Sequence, residues 1–540
     1  MVGSSQYRWR LGGLLGALQH GVARVGRRRP AAAAAVPALL LLSACAVGPD
    51  FRVPSAPLGA GYTPELHAAA TPASDIAGGG SQKFDVGRDI PGQWWKVFHS
   101  KELDGLIVQA LQANPNLQAA QAALWQAKEN LYAQRGKLLP SLSANGSATR
   151  EQFSPAEFGG SGQPFIFNLF QATVNVAFTP DVFGGQRRQV ESEAALADYQ
   201  RFELEATYLT LTSNVVTAAI AEASLRGQIA ATLDIIKVES DQLEVVRQQF
   251  NVGAATKTDV LTQESELATT QATLPPLQKE LEQQHHVLLA LTGRFPNDRQ
   301  REHLTLALLR LPTKLPLSLP SQLVEQRPDV RASEAQLHQA SAQVGVAIAN
   351  RLPQFTLSGD YGAAGAAALF SPSTIVWSAA ASGTQSIFDG FTLLHQERAA
   401  KAAYDQAQAL YHSTVLGAFQ NVADVLRALQ LDAATLNADV AALHAASATL
   451  DLARGQYRLG AIAYITLLNS ERSYSQARLA VVQAQAARFS DTAALFQALG
   501  GGWWNRVDVK TNPLSPEDSD AVTTTNLTAG ARGAATEPKQ

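Results

Sequence analysis

The sequence predicts a mainly α fold with a small β part, in which long antiparallel coiled helices carry an internal two-fold repeat. The first observation is a helical pattern from Gln186 to Phe250 that contains no Pro and a single Gly, Gly227. At 1.5 Å per residue this helix would be about 100 Å long, so it must pack along similar helices outside any compact globule. The second observation is the recurrence of the same motifs in the second half of the chain. The third is a set of short stretches with strand-like alternation.

Composition excludes several classes of protein. Lys and Arg total 43 against 46 Asp and Glu among 540 residues, a net charge of -3. A nucleic-acid-binding chain usually shows a basic excess, so no nucleic-acid partner is expected. The single Cys excludes an intramolecular disulfide framework and argues against a Cys-based metal site. We expect no metal and no cofactor.

The first 44 residues have the organisation of a signal peptide. Basic residues up to Arg29 precede an apolar run from Ala31 to Leu42, and small residues lead to Cys45. The run is shorter than the about 20 residues that a membrane-spanning helix needs. Leu42-Ser43-Ala44-Cys45 resembles a bacterial lipobox, which predicts a covalent lipid on Cys45. The alternative is an uncleaved anchor helix in which the Cys is incidental.

Composition shifts divide the remaining chain into four parts. Residues 45–93 are rich in Pro, Gly, Ala and Ser and are predicted to be an extended, lipid-anchored tether. Residues 94–300 form the first structural repeat, with helices, two strands and a long helical hairpin. Residues 301–504 form the second repeat. Residues 505–540 are polar with few large apolar side chains, which predicts a disordered tail.

The repeat is defined by motifs at nearly constant offsets. Asn114-Pro115 and Arg327-Pro328 each open a helix, and the two prolines are 213 residues apart. The segment from Arg247 to Gly253 aligns with the segment from Arg454 to Gly460 at an offset of 207 residues. Chance similarity between two Ala-rich helices does not explain ordered matches at helix starts and turns, so we infer an internal duplication.

The β part has a consequence for assembly. Residues 172–178 and 355–361 alternate apolar and polar or small side chains, and each has a weaker partner stretch, which gives about four strands per chain. Four strands cannot close a barrel, and an open sheet edge is not tolerated in lipid. If these strands lie in a membrane, several chains must therefore share one barrel.

Five motifs, in this order, carry a resemblance to a known family: Cys45-Ala-Val-Gly-Pro-Asp-Phe, Trp94-Trp95 with Leu103-Asp104-Gly-Leu106-Ile107, Asp181-Val-Phe-Gly184-Gly-Gln-Arg187-Arg188, Arg327-Pro-Asp-Val-Arg331 and Ala498-Leu-Gly-Gly-Gly-Trp503. From Cys45 to about Asn505 the chain resembles the TolC-like outer-membrane channel family, specifically its lipoprotein branch of OprM- and NodT-type proteins. The resemblance implies a homotrimer with a periplasmic tunnel of coiled helices and a shared transmembrane β-barrel of about 12 strands.

The resemblance also implies a function and its partners. The chain would be the outer-membrane exit duct of a tripartite efflux pump, conducting drugs or metabolites passively. Its partners would be a periplasmic adaptor (a membrane fusion protein), an inner-membrane RND-type transporter and outer-membrane lipid. It would be located in the outer membrane, anchored by the lipid on Cys45, with a long periplasmic extension.

Two groups of residues become candidate functional sites by this resemblance. The family meets its adaptor at the ends of the helical hairpins, which correspond here to Val252, Gly253, Ala254, Leu459, Gly460 and Ala461. Gly suits such a turn because it accepts positive φ. The alternative to an adaptor contact is therefore that each glycine serves only as a helix cap. The periplasmic gate would involve Asp259, Thr466, Asn469 and Arg472.

Asn469 departs from the family pattern. The family commonly has Asp in the motif that reads Leu468-Asn469-Ser470-Glu471-Arg472 here. Asn keeps the shape of Asp and its hydrogen bonding but carries no charge. We therefore expect a constriction held by helix packing and polar contacts. Asp259 is the remaining candidate for a carboxylate near the mouth of the tunnel. The alternative for Asp259 is a solvated position on the helix surface.

Three other functions stay open on the sequence. One is a duct for type I protein secretion, and another is a lipid-anchored coiled-coil scaffold without a pore, against which the strand-like alternation speaks. The third is a lipoprotein enzyme. The sequence contains no Gly-rich phosphate loop, no Gly-x-Ser-x-Gly and no His-Glu-x-x-His, so an enzyme is not expected.

Overall fold

The computed structural model describes residues 46–56, 61–62, 70–298, 304–366 and 372–506. Its main body consists of two long helical hairpins with a four-stranded sheet at one end. The helices are α1 (Lys101–Ala113), α2 (Pro115–Gly136), α3 (Gly185–Asn251), α4 (Lys257–Leu291), α5 (Pro320–Gln326), α6 (Pro328–Ala349), α7 (Thr392–Arg458) and α8 (Tyr464–Ala498). The strands are β1 (Lys83–Val86), β2 (Ser141–Phe153), β3 (Phe165–Phe178), β4 (Lys314–Leu317), β5 (Gln354–Gly365) and β6 (Ile375–Thr384).

The two halves of the chain repeat the same order of elements. Helices α2 and α6 both have 22 residues. The long helices α3 and α7 both have 67 residues, and the return helices α4 and α8 both have 35 residues. Each half thus contains a helix, two strands and a long hairpin, in the order predicted from the sequence.

The predicted strands form one antiparallel sheet. Its strand order is β2-β3-β5-β6, so the two halves meet where β3 pairs with β5. Within that pair Val174 lies opposite Tyr361. Every residue of β6 is exposed, and so is every residue of β2 except Phe153. These two strands are the outer strands of the sheet.

Helix α3 is the central packing element. It contacts α1, α2, α4, α6 and α8 along its length. Its first turn is fixed by Asp181, whose carboxylate accepts hydrogen bonds from the amides of Gln186 and Arg187, both at 2.9 Å. This carboxylate satisfies two of the free amides at the helix start and complements the helix dipole.

Helix α4 continues without interruption through Pro275 and Pro276. A proline inside a helix removes one backbone hydrogen bond and crowds the preceding turn. Both prolines are exposed, so the freed carbonyl groups can be hydrated.

The core of the molecule lies where the ends of the repeats meet. Trp94 is fully buried and stacks on Phe496 with ring centroids 5.5 Å apart, and Phe98 lies 6.3 Å from Phe489. These aromatic contacts join the short helical turn before α1 to the last turns of α8. They fix the base of the second hairpin to the start of the first repeat.

The prediction of an extended tether for residues 45–93 is wrong in part. Strand β1 pairs in parallel with β4, and Thr71, Gln82 and Ile90 are buried. The fully buried Arg488 explains this order, because it donates to the carbonyl oxygens of Gly78 and Gly80 at 3.1 and 3.0 Å. Short strands of four residues between Pro- and Gly-rich stretches give little sequence signal.

The predicted tail from residue 505 also begins too early. Asn505 donates to the Asp89 carboxylate at 2.7 Å, and the Arg506 guanidinium pairs with Glu205 at 2.6 Å. The signal peptide, Cys45 and residues 507–540 lie outside the described residues. None of the helices described here combines the length and the apolar character needed to cross a membrane.

Candidate functional site at the hairpin ends

The predicted contact residues lie at the free ends of the two hairpins. We call residues 252–254 and 459–461 the hairpin ends. Val252 is 80% exposed and Leu459 is 85% exposed, although both are large and apolar. Gly253 and Gly460 have φ of 76° and 71°, the left-handed region that favours glycine. Nothing lies within 4 Å of a Cβ placed on either glycine, so both turns face open space.

The return helices start differently in the two halves. Helix α4 has a capping box, in which Thr256 and Asp259 exchange hydrogen bonds between side chain and backbone at 2.8 and 3.2 Å. The equivalent residues of α8 are Ala463 and Thr466, and Ala463 provides no side-chain cap. Asp259 is thus engaged as a helix cap, which is a third role beside the two considered from the sequence.

Side chains connect the first hairpin (α3 and α4) to the second (α7 and α8) just behind the hairpin ends. The Tyr457 hydroxyl donates to Gln249 at 2.8 Å, and the Tyr464 hydroxyl donates to Gln263. Arg472 donates to Glu266 at 2.8 Å. These contacts join α7 to α3 and α8 to α4, so the relative position of the hairpins depends on them.

The four predicted gate residues are not brought together as one cluster of charges. Asp259 caps α4, and Arg472 pairs with Glu266 across the hairpins. Thr466 and Asn469 lie exposed on the first turns of α8. The Asn469 carbonyl accepts a hydrogen bond from Ser473 at 3.0 Å, which is an ordinary contact within the helix.

Two buried carboxyl groups near this region were missed by the sequence reasoning. Glu471 and Glu239 are each 5% exposed. Neither carboxylate oxygen of Glu471 has a hydrogen-bond partner among the described residues, and the Arg454 guanidinium lies 3.8 Å away. Burial raises the pKa of Glu471 from its usual 4.5 to about 7, and burial also raises the pKa of Glu239.

The equivalent pair in the first half shows why the sequence did not reveal the buried Glu471. Arg247 and Glu264 lie 207 residues before Arg454 and Glu471, and they form a 2.8 Å ion pair at the surface. The hydrogen bond from Arg247 lowers the pKa of Glu264. The sequence aligned these residues, but only tertiary packing makes one glutamate buried and the other exposed.

The side chains of this region associate through ion pairs and hydrogen bonds. Within the described part of the chain, no group of three or more His, Cys, Asp or Glu side chains is placed to hold a metal ion. The contacts are ion pairs and hydrogen bonds between two hairpins, each of which can be broken separately. Such an arrangement can hold the hairpins together and allow them to separate.

Comparison with known proteins assigns the family. The outer membrane efflux protein family matches residues 106–294 and 319–501, which together are more than half of the chain. The chain belongs to the outer membrane efflux protein family. The two matched segments correspond to the two halves that carry the long hairpins.

Individual members of this family align over most of the chain. The chain is similar to the pyoverdine export outer membrane protein OpmQ of Pseudomonas aeruginosa, with 29% identity over 474 residues, covering 87% of this chain and 96% of OpmQ. It is similar to the toluene efflux pump outer membrane protein TtgC of Pseudomonas putida, with 26% identity over 483 residues, 88% of this chain and 96% of TtgC. The solved structure of the outer-membrane channel OprN has a TM-score of 0.77 and 28% identity, covering 85% of this chain and 100% of OprN.

Membership of the outer membrane efflux protein family confirms three of the sequence predictions. The resemblance to the TolC-like channels was correct, and the chain is an outer-membrane protein with a long periplasmic part. The family forms the outer-membrane component of tripartite efflux pumps. The solved relative OprN is an outer-membrane channel.

Proposed function

We propose that three copies of this chain form the exit duct of a tripartite efflux pump, through which small molecules pass passively from the periplasm to the outside. The observation that carries the proposal is continuity: strands β3 and β6 lead within a few residues into the 67-residue helices α3 and α7. One chain therefore contains a wall segment for both a membrane pore and a tunnel about 100 Å long.

The sheet supports the proposed trimer. Strands β2 and β6 are the outer strands and are exposed, and the peptide groups on one side of each pair with no other strand among the described residues. In lipid such edges must be paired, and three sheets of four strands close into a barrel of about 12 strands. The equal element lengths of the two halves support an origin by duplication of one unit.

The proposed partners are a periplasmic adaptor and an inner-membrane RND-type transporter. The hairpin ends expose Val252 and Leu459 at positions farthest from the sheet, where the adaptor would meet the tunnel. Exposed apolar side chains on a polar surface are typical of contact sites. A photo-crosslinking residue at position 252 or 459 should join to the adaptor in living cells, whereas one at the exposed position 142 of β2 should not.

Small molecules are the favoured cargo. The names of two relatives mention pyoverdine and toluene, which differ widely in polarity. A duct wall that serves such different compounds selects little by chemistry, so the transporter would decide what is carried. Type I protein secretion is the alternative cargo class.

The proposed constriction is held by polar contacts between hairpins, with Asn469 in place of an acidic residue. Single-channel recording of Asn469→Asp tests its position. The added carboxylates should increase cation selectivity and allow block by divalent cations. Unchanged selectivity and no block would show that Asn469 does not line the constriction.

Transport itself is tested by accumulation of dyes and antibiotics in a Gram-negative strain that lacks its own outer-membrane ducts. The chain is expressed with a matched adaptor and transporter, and the chain alone serves as the control. Accumulation of some compounds should fall only when all three are present. If the chain is present in the outer membrane and no compound is affected, small-molecule efflux is wrong and protein secretion is tested next.

A lipid on Cys45 is part of the proposal. The residues that precede Cys45, with their basic region, apolar run and Leu42-Ser43-Ala44, support it. The mass of the mature N-terminal peptide would show the acyl groups.

A further inference from the structure

Two of the sequence motifs contact each other. The segment that follows Cys45, residues 46–51, lies against the turn at 181–184 and the start of α3. The Val47 amide donates to the Phe183 carbonyl oxygen at 3.0 Å. This turn joins the end of β3 to the start of α3, which is the junction between strands and tunnel.

Arg188 holds this segment in a fixed register. The side chain is 6% exposed, and its guanidinium donates to the carbonyl oxygens of Val47 and Gly48 at 3.1 and 3.3 Å. It also pairs with Asp50 and with Glu191, both at 2.7 Å. A planar guanidinium with several donors can hold consecutive backbone carbonyl groups in a way that a Lys ammonium cannot.

The segment also lies in a groove that requires glycine. Gly48 has φ of 97°, and a Cβ on it would lie 2.4 Å from the Gly345 Cα. A Cβ on Gly184 would lie 2.6 Å from the Ala46 Cα, and one on Gly345 would lie 2.8 Å from the Arg188 side chain. Three glycines on three different elements thus allow the segment to approach α3 and α6.

An aromatic contact ends the docked segment. Phe51 stacks on His338 of α6 with ring centroids 4.3 Å apart and an angle of 11° between the rings. The His338 ring lies 2.9 Å from Glu191, which also pairs with Arg188. The same contacts therefore connect the segment to both α3 and α6.

The second half of the chain lacks this groove although it repeats the fold. The residues equivalent to Gly184, Arg188 and Gly345 in the other half are Phe391, His395 and Tyr132. Phe391 is 59% exposed, and Tyr132 is 56% exposed. Only the first half therefore has the groove in which the N-terminal segment binds. This difference between the two halves indicates a specialised site, because each chain has one N-terminus.

We propose that Arg188, together with Gly48, Gly184 and Gly345, positions the lipidated N-terminus at the junction of strands and tunnel, so that the acyl chains on Cys45 enter the bilayer beside the strands of the same chain. This inference rests on the proposed lipid at Cys45. The docked segment begins at Ala46, the residue that directly follows Cys45 in the sequence. The partner of the site is a lipid surface, reached through the chain's own modified residue.

Trypsin cleavage after Arg52 measures docking of the segment. Arg52 is exposed and directly follows the docked residues, so cleavage of the full chain in outer-membrane fragments depends on local release of the segment. Mass spectrometry follows the loss of residues 45–52. Arg188→Gln and Gly48→Ala should each increase the cleavage rate at least tenfold.

Matched controls separate docking from general damage. Gly87 also has positive φ, 79°, but a Cβ there meets nothing within 4 Å, so Gly87→Ala adds the same backbone strain without a clash. Arg201 lies on the same helix as Arg188 and pairs only with Asp198 among the ion pairs of the described residues. Gly87→Ala and Arg201→Gln should leave cleavage after Arg52 within twofold of the wild type.

The role of the lipid is tested by combining Arg188→Gln with Cys45→Ser. Arg188→Gln should reduce the amount of trimer in the outer membrane about as much as Cys45→Ser does, and the double variant should lose no more than either. If Arg188→Gln reduces the amount of trimer equally in the Cys45→Ser background, the role of Arg188 is structural only and the inference is wrong.

Unchanged cleavage after Arg52 in the Arg188→Gln variant would also overturn the inference. Absence of acyl groups in the wild-type N-terminal peptide would instead refute the proposed lipidation, while the cleavage rates would still report docking.

Discussion

At the scale of single residues, the two halves use equivalent glutamates in opposite ways. Glu264 is at the surface and pairs with Arg247 at 2.8 Å, whereas Glu471 is buried with Arg454 at 3.8 Å. Glu239 and Glu266 add negative charge around Glu471, and burial is the largest cause of its raised pKa. A buried carboxyl group without hydrogen-bond partners is destabilising when it is ionised.

This difference predicts that the hairpins lose stability as the pH rises. The native chain binds the Glu471 proton more strongly than the unfolded chain, since the pKa rises from 4.5 to about 7 on folding. The stabilisation is therefore complete below pH 4.5 and is lost as the pH rises through about 7, on the order of 3 kcal/mol per chain. Glu471→Gln stays neutral, so its thermal midpoint in detergent should fall less than that of the wild type between pH 4.5 and pH 7.

The matched control for this prediction is Glu264→Gln, the equivalent change at an exposed position. It should leave the pH dependence of the thermal midpoint as in the wild type. Burial and the neighbouring Asp432 also raise the pKa of Asp491, so part of the slope should persist in Glu471→Gln. Equal slopes for Glu471→Gln and the wild type would show that Glu471 is hydrated in the assembled protein.

Arg488 gives a second prediction at this scale. Its guanidinium donates to the carbonyl groups of Gly78 and Gly80 and to Gln82 at 3.0 to 3.2 Å. Arg488→Leu leaves the two carbonyl groups and the buried Gln82 side chain without this donor, which should cost about 3 kcal/mol locally. Amide hydrogen exchange in residues 70–82 should become at least tenfold faster.

The control for Arg488 is Arg478→Leu on the same helix. Arg478 pairs with Asp234, whose side chain is 61% exposed, and such a pair contributes little stability. Exchange in residues 70–82 should then stay as in the wild type. If both variants exchange alike, the segment is held by other contacts than Arg488.

At the scale of elements, periodicity was sufficient for the long helices and the sheet. The helix predicted from Gln186 to Phe250 is found at Gly185–Asn251, because a regular pattern with no Pro and only Gly227 as a weak breaker is preserved over many turns. The β1–β4 pair was not predicted, since a parallel contact between residues more than 200 positions apart leaves no local pattern. The hairpin ends were found through their glycines, but the burial of Glu471 and Glu239 depends on packing between helices and could not be predicted from the sequence.

The missing cap of α8 allows a prediction about the hairpin end. Thr256 and Asp259 form a capping box on α4, and the equivalent residues on α8, Ala463 and Thr466, do not. Ala463→Thr with Thr466→Asp should reproduce the box and stabilise the first turn of α8 by about 1 kcal/mol. Amide exchange in residues 464–467 should become slower.

The reverse change is the control for the cap. Thr256→Ala should remove about 1 kcal/mol from the start of α4 and speed exchange there, with no effect on α8. The prediction would be contradicted if Thr256→Ala speeds amide exchange at the start of α4 but the double variant leaves exchange in α8 unchanged. The first turn of α8 would then be limited by contacts other than its cap.

At the scale of the whole molecule, α7 carries a second apolar face that the described part of the chain leaves exposed. One face of α7 packs against α6 and α8 through residues such as Val422 and Leu426, which are fully buried. Away from it, Leu416 is 70% exposed, Leu431 is 55% exposed and Leu452 is 68% exposed. Large apolar side chains repeated along a long helix are costly to leave in water, so a second copy of the chain is the partner expected from the proposed trimer.

This face predicts how the trimer can be broken without unfolding the chain. Leu416 is exposed in the single chain, so Leu416→Glu should leave the secondary structure intact while it places a charge in the proposed interface between copies. Native mass spectrometry should show at least a tenfold loss of trimer for Leu416→Glu, whereas Leu416→Met, which conserves volume, should stay trimeric. Because one copy contributes only four strands, loss of the trimer must also abolish conductance in planar bilayers. A variant that is monomeric but still conducts would contradict the shared barrel, and a trimeric Leu416→Glu would place the contact between copies on another face.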